Sequence, residues 1–184
     1  MKLKKGSTAP MFTLPSINNG EVTLESFKGK KVLLVLNRWA NCPFCSLTLT
    51  RIANQSKEFE KLGVEVLMVF PSSLEKIRTS LPQLELGRIQ FLSDEKLSVY
   101  RNYGAEASFA GEIKTVLDLP NLIEALKHMK ASAIFYDGKF TQLPCSVLID
   151  EGGIIHDLNY GRTFTDLIDP EEVIKWASGV SNYR

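Results

Sequence analysis

Two apolar runs without alternation, VLLVL at 32–36 and VEVLMVF at 64–70, frame the N-terminal half of the chain. Val- and Leu-rich runs of this length, apolar at odd and even positions alike, predict strands buried on both faces of a sheet. Between them Leu49, Ile52, Ala53, Phe59 and Leu62 fall near helical spacing, and Gly63 is placed to end a helix. Strand, helix, strand on this scale predicts a βαβ unit with a right-handed crossover. A third apolar piece, IQFL at 89–92, precedes Ser93-Asp94-Glu95, which reads as a helix start, with Gly104 as its stop. Further on, SVLID at 146–150 and IIHDL at 154–158 flank Glu151-Gly152-Gly153, a hairpin signal. A last helix is predicted from Pro170, with Val173, Ile174 and Trp176 facing inward.

Residues 105–140 break this rhythm. Phe109, Ile113, Val116 and Leu117 recur at helical spacing, Leu122, Leu126 and Met129 continue it after Pro120, and Asp137-Gly138 reads as a tight turn. The stretch reads as a helical insertion between two core strands, its stripe serving packing or shaping a pocket. The whole pattern predicts an α/β fold, a mixed central sheet with helices on both faces, in one domain over 1–184.

Composition narrows the class. The chain is 44% apolar and 23% charged with a formal net charge of +1, which gives no footing for nucleic acid or an acidic membrane as partner. Lys4-Lys5 and the lysines of 28–31 are short clusters that read as solvated faces. No apolar run reaches the ~20 residues of a membrane span. The basic opening MKLKKGSTAP has no long apolar stretch behind it, so no secretory signal is read there. Three cysteines are too few for a disulfide framework and suit a cytoplasmic protein with working thiols.

Two of those thiols, Cys42 and Cys45, form a C-x-x-C just after the first core strand. Pro43 suits the first position of the following helix, which makes Cys42 its N-cap and puts Cys45 one turn in. The free N–H groups and positive dipole end of that turn favour a thiolate over a thiol, and the thiolate is the reactive form. Cys45, three residues on, is within reach for a disulfide, so the pair forms a two-electron switch. The rival reading is half of a zinc site. Only Cys145, His128 and His156 remain to complete one, without finger spacing, so no metal is assigned. A static disulfide is weaker still, because so small a loop removes little unfolded-state entropy. C-x-x-C between a strand and a helix beside a βαβ pattern is a thioredoxin-like redox signal.

Other residues attach to this centre. Leu143-Pro144 precedes the strand SVLID in the place of a cis-proline loop, and the bond is a candidate for the cis form. Cys145 then follows the proline, either as a third redox partner or as a small buried residue opening a strand. Arg38 is either a guanidinium beside the thiolate, lowering its pKa and holding a peroxide oxygen, or a strand-end arginine reaching solvent. His128 and His156 read as surface residues without a general-base role.

The motifs resemble the alkyl hydroperoxide reductase/thiol-specific antioxidant (redoxin) family. GSTAPMFTLP is similar to its G-x-x-A-P-x-F-x-L opening, and LESFKGKKVLLVL to its lead into the first core strand. FLSDEKLSVYRNYG is similar to its S-D segment before a Y-G helix end, and LPCSVLIDEGGII to its L-P-x-x-x-x-I-D-x-x-G-x-I hairpin. The resemblance covers residues 6–104 and 141–180. It implies a thioredoxin-like fold with an added N-terminal hairpin, and a thiol-dependent oxidoreductase that needs no organic cofactor. It further implies a peroxide or a disulfide as substrate, a thioredoxin-like reductant as partner, and room for a homodimer.

Within the family, the P-x-x-x-[TS]-x-x-C pattern sets Cys45 on the peroxidatic cysteine, Cys42 on the Thr and Arg38 on the Pro. The family's peroxide-binding arginine falls on Pro144. A branch with F-x-R-G-x-W-C-P-x-C matches Arg38 and Cys42-Pro43-Phe44-Cys45 without a gap, with Trp39 in place of the Gly and Asn41 in place of the Trp. Trp39-Ala40-Asn41-Cys42 is one residue short of the W-A-x-W-C of thioredoxin-like reductases. The N-cap argument names Cys42 as the attacking thiol, whereas the family pattern names Cys45. Three functions stand at this point: a peroxidase, a thiol-disulfide reductase, and a non-enzymatic thioredoxin-fold protein whose pair binds metal or senses redox state.

Overall fold

The structure, a computed structural model, describes residues 2–18, 20–80, 88–105, 120, 123 and 142–180. Seven strands are described: β1 Thr13–Ser16, β2 Gly20–Thr23, β3 Lys31–Leu36, β4 Val64–Phe70, β5 Gln90–Ser93, β6 Cys145–Ile149 and β7 Ile155–Tyr160. They form one mixed sheet in the order β2-β1-β5-β4-β3-β6-β7. β3, β4 and β5 run parallel, while β6 and the two terminal pairs run antiparallel. Every residue of β4 is buried and only Lys31 of β3 is not, as the unalternating apolar runs require. Helices α1 Pro43–Asn54, α2 Ser56–Lys61, α3 Leu74–Ser80 and α4 Ser98–Asn102 follow the central strands, and a C-terminal helix spans Pro170–Ala177.

The sheet separates two apolar cores. One holds Leu33, Val35, Cys42, Cys45, Phe59, Ile77, Leu148 and Trp176, under α1, α2, α3 and the C-terminal helix. The other holds Val32, Leu34, Leu36, Val99, Tyr100, Cys145 and Val147, under α4 and the N-terminal hairpin. Alternate residues of β3 feed opposite cores, as the two-residue strand period dictates. Helices therefore cover both faces, and the expected α/β class holds.

Three local expectations shift. The single helix expected before Gly63 breaks at Gln55 into α1 and α2, while Gly63 does end the run with a left-handed φ of 68°. Ser93 completes β5 rather than starting a helix, and α4 begins four residues after Asp94. Asp94 still caps it: its carboxylate accepts the N–H groups of Ser98 and Val99 at 2.9 and 2.8 Å, satisfying two donors the helix leaves open. Finally, the Leu143–Pro144 bond is trans, since the described residues contain no cis peptide. The trans form is the ordinary preference of an X-Pro bond, and the Pro144 carbonyl here accepts the Gly161 N–H at 2.9 Å.

The hairpin of β6 and β7 turns at Asp150, whose Oδ1 accepts the N–H groups of Gly152 and Ile154. In the C-terminal helix Val173 and Trp176 are buried, and Ile174 packs on the core at its edge. Of the expected insertion at 105–140, only Ala105, Pro120 and Ile123 are described; the last two are helical and exposed. The rest of its apolar stripe, and His128, lie outside the described residues.

Behind the loop that carries Pro144, Gly161 leaves no room for a side chain. A Cβ there would stand 2.7 Å from the Asp166 carbonyl oxygen and 2.8 Å from that of Pro144. Both are backbone atoms, so Gly161→Ala forces the loop apart. A loss of about 1–3 kcal/mol is expected, the usual cost of overpacking. It is read as a lower urea midpoint with an unchanged slope.

Candidate active site

β3 carries the chain through its buried run to Leu36, and Asn37 continues the ladder by donating its N–H to Val69 O at 2.8 Å. Arg38, Trp39, Ala40 and Asn41 then lead into α1. Cys42 is its N-cap, with extended backbone (φ −68°, ψ 123°), and Pro43 stands at the first helical position. Cys45 lies one turn further in. Both sulfurs are free thiols and buried, Cys42 fully.

Arg38 ties the site together. It is a charged side chain only 1% exposed. Its Nη1 donates to the Cys42 sulfur at 3.3 Å, and its Nε donates to the Gln142 carbonyl at 3.0 Å. The guanidinium lies 3.2 Å from the Phe164 ring centre and 4.2 Å from that of Trp39. Phe44 meets Phe164 edge-on at 5.5 Å between ring centres. Aromatic faces and fixed acceptors replace much of the water that the cation has lost. Of the two readings of Arg38, solvent-facing or thiolate-facing, the structure has the second.

The two thiols stand in opposite electrostatic states. Burial alone would raise the Cys42 pKa. Against it act the Cys45 side chain, the Arg38 charge and the first-turn N–H groups of Cys45 and Phe44, and together they bring it down to about 6. These N–H groups act through their dipoles, for the Cys42 side chain closes no cap hydrogen bond. Cys45 is held well above the usual thiol range, by burial first and then by its hydrogen bond and proximity to Cys42. The two directions favour a Cys42 thiolate beside a Cys45 thiol.

The other predicted residues are placed as follows. Pro43 and Trp39 flank the pair. Pro144 borders the loop whose Gln142 carbonyl receives Arg38. Cys145 belongs to the opposite core: it is 1% exposed in β6, paired with Leu36 and Tyr160 across the sheet. Burial pushes its thiol up to about 12. Cys145 is thus the small buried strand residue of the two readings. His156 lies exposed, with its ring stacked on Trp176. Among the described residues, no group of three or more His, Cys, Asp or Glu side chains is placed to hold a metal ion.

Four contacts escaped the sequence reading. Gln142 and Phe164 meet Arg38 from more than 100 residues away in the chain. The Arg38 backbone N–H donates to the Cys45 sulfur at 3.3 Å. Tyr100, on α4, donates its hydroxyl to the Asn37 carbonyl at 2.6 Å. Of Gln142, Phe164 and Tyr100, Tyr100 alone lay in a quoted motif, and nothing in the spacing of that motif separates it from an ordinary core tyrosine.

The AhpC/TSA family profile matches residues 5–158. This chain belongs to the AhpC/TSA family. It is 33% identical to peroxiredoxin Bcp of Escherichia coli (strain K12) over 112 residues, 60% of this chain and 71% of that protein. Membership makes it a thiol-dependent oxidoreductase of the peroxiredoxin type. Its fold matches peroxidoxin BcpB from Mycobacterium tuberculosis, with a TM-score of 0.69 at 14% identity over 97% of this chain and 98% of that one. It also matches a putative thiol:disulfide interchange protein DsbE from Chlorobium tepidum, with a TM-score of 0.61 at 22% identity over 87% of each chain. The thioredoxin-like fold is therefore shared by both chemistries, and the fold alone does not choose between them. No helix among the described residues is long and apolar enough to cross a membrane.

Proposed function

We propose that this chain reduces a peroxide with its C-x-x-C dithiol, Cys42 attacking and Cys45 resolving. The observation that carries the reading is the buried Arg38 guanidinium 3.3 Å from the Cys42 sulfur, which supports a thiolate there at neutral pH. The Cys42 thiolate attacks one peroxide oxygen and breaks the O–O bond. Cys42 becomes a sulfenic acid, and the other oxygen leaves as alkoxide or hydroxide and takes a proton from solvent. The Cys45 sulfur, giving up its proton, then displaces water from the sulfenic sulfur. The product is a Cys42–Cys45 disulfide, with two electrons passed from the thiols to the peroxide. An external dithiol of the thioredoxin type restores the pair by exchange. No organic cofactor enters this cycle.

Arg38 supplies from the end of β3 the cation that the family pattern puts at the position of Pro144. The same guanidinium can hold the peroxide oxygen that departs with negative charge. The family alignment puts Cys45 at the attacking position, but the thiol pKa values run the other way. Burial of both sulfurs favours a small oxidant over the disulfide of a folded protein.

The test is a stopped-flow rate for the reduced protein with hydrogen peroxide across pH, read through Trp39 fluorescence. Because the Cys42 pKa is lowered, its thiolate is present above about 6 and is lost as pH falls through that value. The rate should be half-maximal near pH 6 and level above it. A rate no faster than a free thiol's, still climbing toward the ordinary thiol pKa of about 8.5, contradicts the peroxidase reading.

A further inference from the structure

The peptide unit joining Asn37 to Arg38 is held at both ends. Its N–H, that of Arg38, donates to the Cys45 sulfur at 3.3 Å. Its carbonyl, that of Asn37, accepts the Tyr100 hydroxyl at 2.6 Å. Tyr100 is 1% exposed and comes from α4, on the opposite face of the sheet from the cysteine pair. The same hydroxyl stands 3.0 Å from Val69 O, which also accepts the Asn37 N–H at 2.8 Å. The Asn37 side-chain amide donates to Val35 O and Val69 O, both at 3.3 Å. Asn37 is thus pinned through its backbone and its side chain, in a buried setting where hydrogen bonds polarise one another.

We propose that Tyr100 is a positioning residue for the redox pair, acting through the Asn37–Arg38 peptide on Cys45. A donor on the carbonyl draws electron density away from the amide nitrogen, so the N–H at the other end becomes a stronger donor to sulfur. It also fixes where that N–H points. Negative charge develops on the Cys45 sulfur when it gives up its proton to attack Cys42. Tyr100 therefore speeds the resolving step and leaves the attack by Cys42 unaffected. The inference rests on the proposed roles of the two cysteines, but not on peroxide being the oxidant.

Tyr100→Phe keeps the ring and removes the hydroxyl. Tyr103→Phe is the control, because Tyr103 also lies buried beside α4 and loses a comparable bond, 2.9 Å to Pro10 O, without touching the pair. Each reduced protein is mixed with hydrogen peroxide and, separately, with the aromatic disulfide DTNB. With DTNB, Cys42 releases the first thionitrobenzoate and becomes a mixed disulfide; Cys45 then displaces the second, so two thiols are oxidised and one disulfide is reduced. The expected result for Y100F is an unchanged first phase and a second phase slower by about fivefold to tenfold, the worth of one hydrogen bond of about 1 kcal/mol or slightly more. Y103F should match the parent in both phases. An unchanged second phase in Y100F, both phases slowed together, or equal slowing in Y103F overturns the inference. If the parent shows no fast reaction with peroxide but Y100F slows the second DTNB phase, the peroxidase reading falls and the role of Tyr100 stands.

Discussion

Cys42→Ser is expected to lower the rate of peroxide consumption at pH 7 by at least about a hundredfold. The reason is the state of the thiol left behind. Cys45 is held well above the usual thiol range, by burial first and then by its neighbour Cys42. Loss of Cys42 removes the neighbour but not the burial. A thiol held above the usual range is almost wholly protonated at pH 7, and only the thiolate attacks. Cys45→Ser should behave differently. A serine hydroxyl can donate to the Cys42 sulfur as the Cys45 side chain does, so the first turnover proceeds near the parent rate. It then halts at the Cys42 sulfenic acid, because no second sulfur remains to displace water. Burst kinetics of peroxide loss check both variants. The opposite order, a dead C45S and an active C42S, would restore Cys45 as the attacking thiol and support the family alignment over the electrostatics.

Arg38→Met should cost about tenfold to a hundredfold in the same rate at pH 7. A hydrogen bond to a charged partner contributes about 1.5–3 kcal/mol, and here it is lost from the thiolate form only. The Cys42 pKa should move up, so that the pH profile of the variant shifts toward that of a free thiol. Arg38→Lys should recover only part of the loss. The planar fork reaches Cys42 and Gln142 O at once, while the single ammonium of lysine cannot copy that geometry. The stability of the oxidised form should move little or even rise in R38M, since an apolar chain then replaces a buried cation. A parallel fall in stability and activity would mean that Arg38 acts as packing.

Most of the frame was legible because each signal was local. The unalternating runs at 32–36 and 64–70 predict strands covered on both faces, and both are. Gly63, Gly104 and Gly153 each take a left-handed φ at the turn or helix end that the sequence marks for them. Pro43 after Cys42 fixed the N-cap, whose first-turn N–H groups add to the Cys45 side chain and the Arg38 charge in lowering the pKa of that sulfur. Helix boundaries were less legible. The break at Gln55 leaves the apolar spacing almost undisturbed, and Asp94 caps α4 across an intervening turn instead of starting it.

The site was half legible. Cys42, Cys45 and Arg38 lie within eight residues of one another, so their meeting follows from one strand end and one helix start. Gln142, Phe164 and Tyr100 reach the same centre from distant elements. Contacts of that kind depend on how the sheet is ordered, which no local pattern states. Cys145 stayed open between two readings for the same reason. Its position after Pro144 suggests nearness to the pair, but one step along a strand turns a side chain to the other face of the sheet.

The most direct test of the chemistry is to find which sulfur carries oxygen first. Reduced protein is mixed with one equivalent of hydrogen peroxide in the presence of a sulfenic-acid trap such as dimedone, quenched early, digested and mapped by mass spectrometry. The lowered Cys42 pKa and its contact with Arg38 predict the adduct on Cys42, at early times, with none on Cys145. An adduct on Cys45 would contradict the assignment of the attacking thiol, and a protein left with both thiols reduced, with neither an adduct nor a Cys42–Cys45 disulfide, would contradict peroxide reduction itself.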